Sequence, residues 1–464
     1  AINSYTLLDL FPGILDQKPN LVLIYAGHNE YYGALGVGSV ESFGNSRLLI
    51  KSILYLNQFK TTQLIRNFIT KIFSAFASSN ENAINGTLMS KIAKDKSIKL
   101  NSEKFYSGVE QFYNNIKEIS EEARDKNVPI IIGNLVSNLK DQKPFISIQT
   151  DGFGNANEIY SKAKKELKTG NNIKADSLFR LAKDLDGLRF RAPEKINIII
   201  DSISNEFNLP KVPLDSIFNS NSQDGIVGNN FMVDHLHPTT NGYRLIGKSF
   251  YEEMVKQKFL PQNETQQIPF NKQDSATIKN IMFTELDQTI GDYLVTSLKN
   301  DWPFKNENEK IPLSSLLVPR NFMDSVALKV IEEKITWAEA QVEAATYYLR
   351  KDDIKNYLNH MNVLIYQYPA LKDIPNAVKY FYQKNKINPK DFTNKRLGLI
   401  ALFTKDYNKA IQQLNSVDQS EFKDPEILYN LALAYYSNKN ISKALNSLDA
   451  CLMLDSEYPN AKKL

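Results

Sequence analysis

The first positions of the chain place apolar and polar residues with the period of a helix. The stretch "AINSYTLLDLFPGIL" predicts an amphipathic helix over residues 1–15. Its apolar positions fall on one face: Leu7, Leu8, Phe11 and Leu15. The pattern then changes to a continuous apolar run over 21–25, in "PNLVLIYAG", bounded by Pro19 and Gly27. A short apolar run that follows a helix is typical of a buried parallel strand.

The alternation of helix and strand continues towards the middle of the chain. An amphipathic pattern over 103–126 predicts a second helix, and "VPIIIGNLV" at 128–136 predicts a second strand. The apolar run at 196–203 favours a helix, followed by a short strand near "LPKVPL". Helices alternating with strands predict an α/β fold with a mostly parallel sheet.

Two other regions have a helical pattern with small residues at fixed positions. Residues 157–191 read as a helical pair, with Ala163, Ala175, Phe179 and Ala182 at the positions that a tetratricopeptide-type repeat reserves for close packing. Four positions near the C-terminus recur 34 residues later, where Gly398, Ala401, Ala410 and Leu414 are followed by Ala432, Tyr435, Ala444 and Leu448. This period resembles the tetratricopeptide repeat, although Ser456 stands where that repeat usually has proline.

These patterns divide the chain into three parts. Residues 1–257 are predicted to form an α/β domain that carries the helical insertion at about 157–191. The sequence becomes polar and irregular after Gln257, so 258–335 is predicted to be a linker with helices. Residues 336–464 are predicted to be an all-α solenoid of repeats.

Composition excludes several classes of protein. The chain has 464 residues, of which 42% are hydrophobic and 23% charged, as expected of a globular protein. A net charge of +4 gives no nucleic-acid-binding footprint, and the single cysteine, Cys451, excludes an internal disulfide framework. No apolar run reaches the length of about 18 residues that a membrane-spanning helix needs. Because Ala1 begins directly inside a helical pattern, we expect further sequence upstream.

Two of the four histidines lie in the short stretch "VDHLHPTTNGY" at 233–243. An Asp-x-x-His turn can bring the carboxylate of Asp234 to Nδ1 of His237, which fixes the tautomer and leaves Nε2 as a general base. His235 has no role in that relay. Two alternatives stay open at this point: a polar loop with local hydrogen bonds, and a zinc site built from Asp234, His235, His237 and His28.

Asn29 is the second candidate for chemistry. It follows the first predicted strand in "YAGHNEYYG", and sites in open parallel sheets lie beyond the carboxyl ends of the strands. A side-chain amide placed there can donate a hydrogen bond to a developing oxyanion. The alternative is a turn in which Gly27 and Asn29 only supply backbone freedom.

Together the two stretches resemble the SGNH hydrolases, also called the GDSL-like lipase/acylhydrolase superfamily. Gly27-His28-Asn29-Glu30 is similar to the third sequence block of that family, with Glu30 in place of its usual aspartate. Asp234-His235-Leu236-His237-Pro238 is similar to its fifth block. The resemblance covers about residues 1–255. Several short sequence stretches are also similar to a bacterial branch in which such a domain is fused to tetratricopeptide repeats. The resemblance implies a flavodoxin-like three-layer α/β/α domain with a Ser-His-Asp triad.

The nucleophilic serine of the family lies in a first block, Gly-Asp/Glu-Ser, that precedes everything in this chain. The resemblance therefore implies a serine upstream of Ala1, and likewise a second-block glycine at or before it. Ser39 and Ser46 follow the third block, so neither fits the family's order. Residues 1–464 alone are expected to be inactive.

Further expectations concern substrate, partners and location. The candidate substrate contacts are Gly27, Asn138 and Arg189. Asn138 follows a predicted strand; the alternative is a loop held by its own hydrogen bonds. Arg189 could hold an anionic group, and its alternative is an ion pair to the helical insertion. The resemblance implies an ester, acylated small-molecule or glycan substrate, no cofactor, and an anchor at the bacterial cell envelope. The competing hypotheses are an inactive scaffold whose repeats bind a protein partner, and a metal-dependent hydrolase.

Overall fold

The computed structural model describes residues 2–39, 47–57, 59–60, 97–260, 268–417 and 423–463. The chain is mostly helical with a small parallel sheet. It divides into two compact units. Unit 1 comprises Ala1–Asp274 and Leu298–Lys310, and unit 2 comprises Ser275–Ser297 and Ile311–Leu464.

Three short parallel strands form the sheet of unit 1. They are β1 (Val22–Ile24), β2 (Ile130–Gly133) and β5 (Lys211–Val212), in the order β1-β2-β5. Val22 aligns with Ile130, and Ile132 aligns with Lys211. The strands predicted at 21–25, 128–136 and "LPKVPL" are confirmed. A separate antiparallel pair is made by β3 (Gln149–Thr150) and β4 (Gly154–Asn155).

Nine of the described α-helices begin in unit 1. They are α1 (Ser4–Asp16), α2 (Arg47–Asn57), α3 (Glu103–Asp125), α4 (Ala156–Lys168), α5 (Asn172–Leu185), α6 (Glu194–Phe207), α7 (Leu214–Ser220), α8 (Thr240–Lys256) and α9 (Phe270–Lys279). The run at 196–203 lies inside α6, as predicted. Side chains of Asn3, Ser102 and Thr239 cap α1, α3 and α8 by accepting from backbone N–H groups that have no partner within the helix.

Strand β2 is buried on both faces of the sheet. Ile130 and Ile132 pack into one core with α1, α3 and α6. Ile131 points to the other face and packs with Val212 and Phe250, in a core that α7 and α8 complete. Burying each such side chain stabilises the fold by about 1.5–3 kcal/mol. This two-sided burial explains why the strand has a continuous apolar sequence rather than an alternating one.

The helical pair predicted over 157–191 is present as α4 and α5. Ala163, Ala175, Ala182 and Phe179 are almost fully buried between the two helices. Alanines at the contact let the helices approach closely, while the phenyl ring fills the space that remains. The Tyr160 hydroxyl of α4 donates a 2.7 Å hydrogen bond to the carbonyl of Lys140, which ties the insertion to the loop after β2.

Unit 2 is built from helices that pack in consecutive pairs. Its longer helices are α10 (Glu285–Lys299), α12 (Phe322–Ile331), α13 (Trp337–Arg350), α14 (Ile354–Gln367), α15 (Ile374–Gln383), α16 (Asn394–Phe403), α17 (Tyr407–Asn415), α18 (Pro425–Ser437) and α19 (Ile441–Leu454), with the single turn α11 (Leu313–Leu316). Gly398 of α16 packs directly on Leu414 of α17, where an added Cβ would lie 2.6 Å from Leu414 Cγ. Ala432 and Ala444 are also buried. The helices predicted from the 34-residue period are therefore present.

The segment predicted as a linker, 258–335, is divided between the two units. Residues 298–310 belong to unit 1, although the chain on either side of them belongs to unit 2. Trp302 packs against the main core of unit 1. None of the described helices is long and apolar enough to cross a bilayer.

Candidate active site

Asp234 and His237 form a hydrogen-bonded pair in the loop that leads into α8. Asp234 Oδ1 accepts the backbone N–H groups of Leu236 at 2.9 Å and His237 at 2.8 Å, which closes the turn. Asp234 Oδ2 lies 2.7 Å from His237 Nδ1. One carboxylate thus shapes the loop with one oxygen and orients the imidazole with the other, as the Asp-x-x-His spacing predicts.

The two members of the pair differ in exposure. The side chain of Asp234 is 2% exposed, whereas that of His237 is 54% exposed. Burial alone would raise the pKa of Asp234, but the hydrogen bond from His237 and the neighbouring His235 hold it well below its usual range. The hydrogen bond to Asp234 raises the pKa of His237, against a smaller opposing effect of burial. Because Nδ1 is occupied by Asp234, Nε2 is the nitrogen left to exchange a proton with a substrate.

His28 is a structural histidine. Its Nδ1 accepts the backbone N–H of Ala192 at 3.2 Å, so Nε2 carries the proton and donates to the carbonyl of Val136 at 3.1 Å. Burial lowers the pKa of His28 to about 3, with smaller contributions from Lys183 and His235. Both ring nitrogens are used, so His28 has no lone pair for a metal, and the described ranges contain no group of three metal-ligating side chains.

Asn29 lies just beyond the carboxyl end of β1, half-buried. Its carbonyl accepts the N–H of Gly33 at 2.7 Å, which closes a turn. The next residue, Glu30, is fully buried and anchors this turn. Glu30 accepts the Ser4 backbone N–H at 3.0 Å and the Ser4 hydroxyl at 2.6 Å, and it also accepts the amide of Gln111. The turn that carries Asn29 is therefore fixed to the first turn of α1 and to α3.

None of the described groups that bind Glu30 in this turn is a cation, so burial has the largest effect on the pKa of its carboxyl group. Burial raises the pKa of Glu30 to about 7, although the hydrogen bonds from Ser4 and Gln111 act in the opposite direction.

The segment after β2 links the Asn29 turn to the His237 loop. The carbonyl of Val136 binds His28, as described above, while Asn138 binds the other loop. The Asn138 N–H donates to the carbonyl of His235 at 3.0 Å, and its amide donates to the carbonyl of Asp234 at 3.0 Å. The two candidate loops are consequently held against one strand end, as expected for the carboxyl edge of a parallel sheet.

The three predicted substrate contacts all have roles inside the protein. Asn138 is almost completely buried, and its side chain also contacts Asn229 and the backbone of Asp141. Gly27 has φ +145°, and an added Cβ would lie 2.7 Å from Leu135 Cδ1, so glycine is required there by packing.

Arg189 is 1% exposed. Its guanidinium donates to the carbonyls of Ile98 and Asp184 and lies over the ring of Phe105. The neighbouring Arg191 also points inward and forms a 3.2 Å ion pair with buried Asp186. Asn138 and most of the Arg189 guanidinium are thus engaged inside the protein, while Arg189 Nη2 is buried and has no hydrogen-bond partner among the described residues.

No protein-family model and no curated protein matches this sequence.

Sequence reasoning missed the aromatic rings that surround the histidine loop. Phe145, Phe190 and Phe304 all contact the ring of His235. They come from three distant parts of the chain, so no local sequence motif predicts that they meet. Ser39, rejected as a nucleophile by its order, is buried in the turn after Asn29, and Ser46 lies outside the described residues.

Proposed function

We propose that unit 1 is the main part of a serine ester hydrolase of the SGNH type, with the serine supplied by sequence upstream of Ala1. The observation that carries the proposal is the 2.7 Å contact between buried Asp234 and exposed His237 at the carboxyl edge of a parallel sheet. A buried carboxylate that holds an exposed imidazole by Nδ1 is the arrangement that lets histidine act as general base at a serine hydroxyl.

The reaction follows from this arrangement. The serine oxygen attacks the ester carbonyl carbon while its proton passes to His237 Nε2, and the half-buried amide of Asn29 donates to the resulting oxyanion. Collapse of the intermediate breaks the bond to the alcohol, which leaves with the proton from His237. Water then attacks the acyl-enzyme while His237 takes its proton. Collapse of the second intermediate breaks the bond to the serine oxygen, which receives that proton from His237, and the acid is released. Asp234 stays ionised throughout and stabilises the imidazolium.

The free edge of the sheet supports an upstream serine. Strand β1 pairs with β2 on one side, and none of the described strands pairs with its other side. A parallel strand added at that edge would end next to Tyr25–Asn29, so a serine at its carboxyl end would lie near the Asn29 turn. With that strand, and with helices on both faces of β2, the domain would be the three-layer sandwich that the resemblance implies.

The test is covalent labelling of the protein translated from its own start codon. A fluorophosphonate probe is expected to modify one serine upstream of Ala1, and His237→Ala is expected to abolish the labelling. Asn241→Ala, an exposed position on the first turn of α8, is the matched control and should label normally. Absence of labelling in the wild type, or labelling that survives His237→Ala, would contradict the proposal.

A second candidate function is protein binding by unit 2, whose helix pairs we propose to be tetratricopeptide repeats. A groove of about 580 Å³ favours it. The groove is lined by apolar side chains and has charged side chains among them: Tyr357, Ile365, Val378, Phe392, Asp373 and Lys409. Such grooves accept extended peptides.

Site-specific photo-crosslinking in cells tests this candidate. A crosslinker at Val378, inside the groove, is expected to capture one protein that the same group at Tyr380 does not. Tyr380 is an exposed position on the same helix, α15. Equal capture from both positions, or capture from neither, would reject the second candidate.

A further inference from the structure

His235 is a buried imidazole on the same carboxylate as His237. Its side chain is 1% exposed, and its Nδ1 lies 3.4 Å from Asp234 Oδ1. This separation is longer than a hydrogen bond, and Nδ1 has no hydrogen-bond partner in the described part of the chain. A lone pair facing a carboxylate is repelled, so the proton of the neutral ring belongs on Nδ1.

Three phenyl rings pack around the imidazole of His235. Their centroids lie 5.3 Å (Phe145), 5.8 Å (Phe190) and 5.6 Å (Phe304) from the imidazole centroid. We call these three rings the aromatic enclosure. Phe145 also contacts both other rings, so the enclosure is continuous. The ring of His237 stands at 5.9 Å, on the solvent side of His235.

One ring of the enclosure comes from the segment that returns from unit 2. Phe304 belongs to residues 298–310, and Trp302 of the same segment contacts Phe190. The turn is held by its own bonds: the N–H of Phe304 donates to the carbonyl of Asp301 at 3.0 Å, and Lys310 forms a 2.6 Å ion pair with the Asp301 carboxylate. The segment thus has a defined shape where it covers the histidine loop.

The charges that reach His235 are nearly all positive. Of the four charged side chains that affect the pKa of His235 most among the described residues, Asp234 is the anion, while Arg191, His237 and Lys299 are cationic. On the side of Phe145, Asp186 is already paired with Arg191. Burial lowers the pKa of His235 to about 3, Asp234 opposes this, and the three cationic side chains add to the lowering. A protonated His235 would therefore be unstable as long as the enclosure is closed.

We propose that the aromatic enclosure makes His235 a positioning residue, a neutral imidazole that keeps water away from Asp234 and so strengthens the bond between Asp234 and His237. A carboxylate that water cannot reach interacts more strongly with its one remaining cationic partner. Residues 298–310 then support the Asp234–His237 pair indirectly, through the contact of Phe304 with His235. The importance of this enclosure for catalysis rests on the proposed function. Its effect on the bond between Asp234 and His237 does not.

Histidine titration by NMR tests the inference on residues 1–464. The chain has four histidines, so single His→Gln variants assign their ring signals. In the wild type, between about pH 4.5 and about pH 9, the ring of His235 is expected to show no titration, while His237 titrates above about 6.5. Titration of His235 near its ordinary pKa in the wild type would overturn the inference without any variant.

Opening the enclosure should move both pKa values in opposite directions. Phe304→Ala is expected to raise the pKa of His235 by about one unit or more and to lower that of His237 by about half a unit. Phe304→Leu, which keeps the space filled, should stay close to the wild type. Phe153→Ala, an exposed phenylalanine of unit 1, is the matched control and should change neither value.

A Phe304→Ala protein that folds but leaves the pKa of His237 unchanged would also overturn the inference. If that variant unfolds, the wild-type titration and Phe304→Leu still decide. The measurement needs neither nucleophile nor substrate, so its failure and the failure of the hydrolase proposal are distinguishable.

Discussion

At the scale of single residues, the site depends on the different partners of the two carboxylate oxygens of Asp234. Oδ1 accepts two backbone N–H groups of the turn, and Oδ2 is reserved for Nδ1 of His237. The sequence predicted the pair because Asp-x-x-His fits one turn. It could not predict that rings from residues 145, 190 and 304 surround the neighbouring His235.

Asp234→Asn is expected to keep the loop closed and to lose most of the activity. The asparagine oxygen can still accept the two backbone N–H groups, but its amide would favour the wrong tautomer of His237. A loss of about 10³–10⁴-fold in kcat is expected for the full-length protein. The control is Asn241→Ala, and a loss below about tenfold would show that Asp234 is not the orienting group.

The pH dependence of hydrolysis should report the raised pKa of His237. The imidazole must be neutral to accept a proton, so kcat/KM should fall as the pH drops through a value above the ordinary pKa of about 6.5. In Asp234→Asn the residual activity should follow a lower apparent pKa, because the hydrogen bond that raises it is weakened. Identical acidic limbs in a pH–rate comparison would contradict this assignment.

At the scale of elements, Glu30 connects the Asn29 turn to two helices. Ser4 opens α1, Gln111 lies on α3, and both donate to its buried carboxylate. The sequence block that this turn resembles has aspartate at this position, and the longer glutamate reaches the first turn of α1. Sequence reasoning recognised the turn but not this anchor, because the three partners are separated by up to 107 residues, from Ser4 to Gln111.

Glu30 makes stability depend on pH. Its folded pKa, about 7, lies above the ordinary value, so its contribution is fully present below about pH 4.5 and is lost as the pH rises through 7. The stability difference between wild type and Glu30→Gln should therefore shift in favour of the variant by on the order of 2 kcal/mol between pH 5 and pH 8. Unfolding curves at both pH values measure this shift. A constant difference would mean that Glu30 is ionised throughout.

Gly398 tests the close packing of the helix pairs in unit 2. Alanine in a helix normally stabilises by about 1 kcal/mol over glycine. Gly398→Ala should instead destabilise by about 1–3 kcal/mol, because its Cβ would overlap Leu414. Gly291→Ala in α10, where nothing lies within 4 Å of the added Cβ, is the matched control and should be neutral or stabilising. Thermal unfolding that orders the two variants the other way would contradict the packing described for α16 and α17.

The elements themselves were largely predictable. Apolar runs predicted β1 and β2, and the small residues of α4, α5 and α16–α19 predicted their pairing. Arg189 shows the limit: an arginine in a loop suggests a ligand contact, yet its guanidinium is buried and donates to the carbonyls of Ile98 and Asp184, which only the tertiary fold brings near.

At the scale of the whole molecule, the chain crosses between its units more than once. The sequence suggested one boundary after Gln257, since polarity rises there. The structure instead assigns 275–297 to unit 2 and returns 298–310 to unit 1. The sequence of 298–310 has no local pattern that would predict its place in unit 1, because Trp302 and Phe304 are simply aromatic residues in a predicted loop. Its consequence is that truncation at 257 would remove part of the enclosure around His235.

If His237 is the general base of an ester hydrolase, its removal must abolish ester turnover. Hydrolysis of p-nitrophenyl acetate is measured for the protein translated from its own start codon, as wild type, His237→Ala and Asn241→Ala. Wild type and Asn241→Ala are expected to turn over the ester, and His237→Ala is expected to lose at least about 10³-fold. Turnover that is unchanged in His237→Ala would contradict this role of His237.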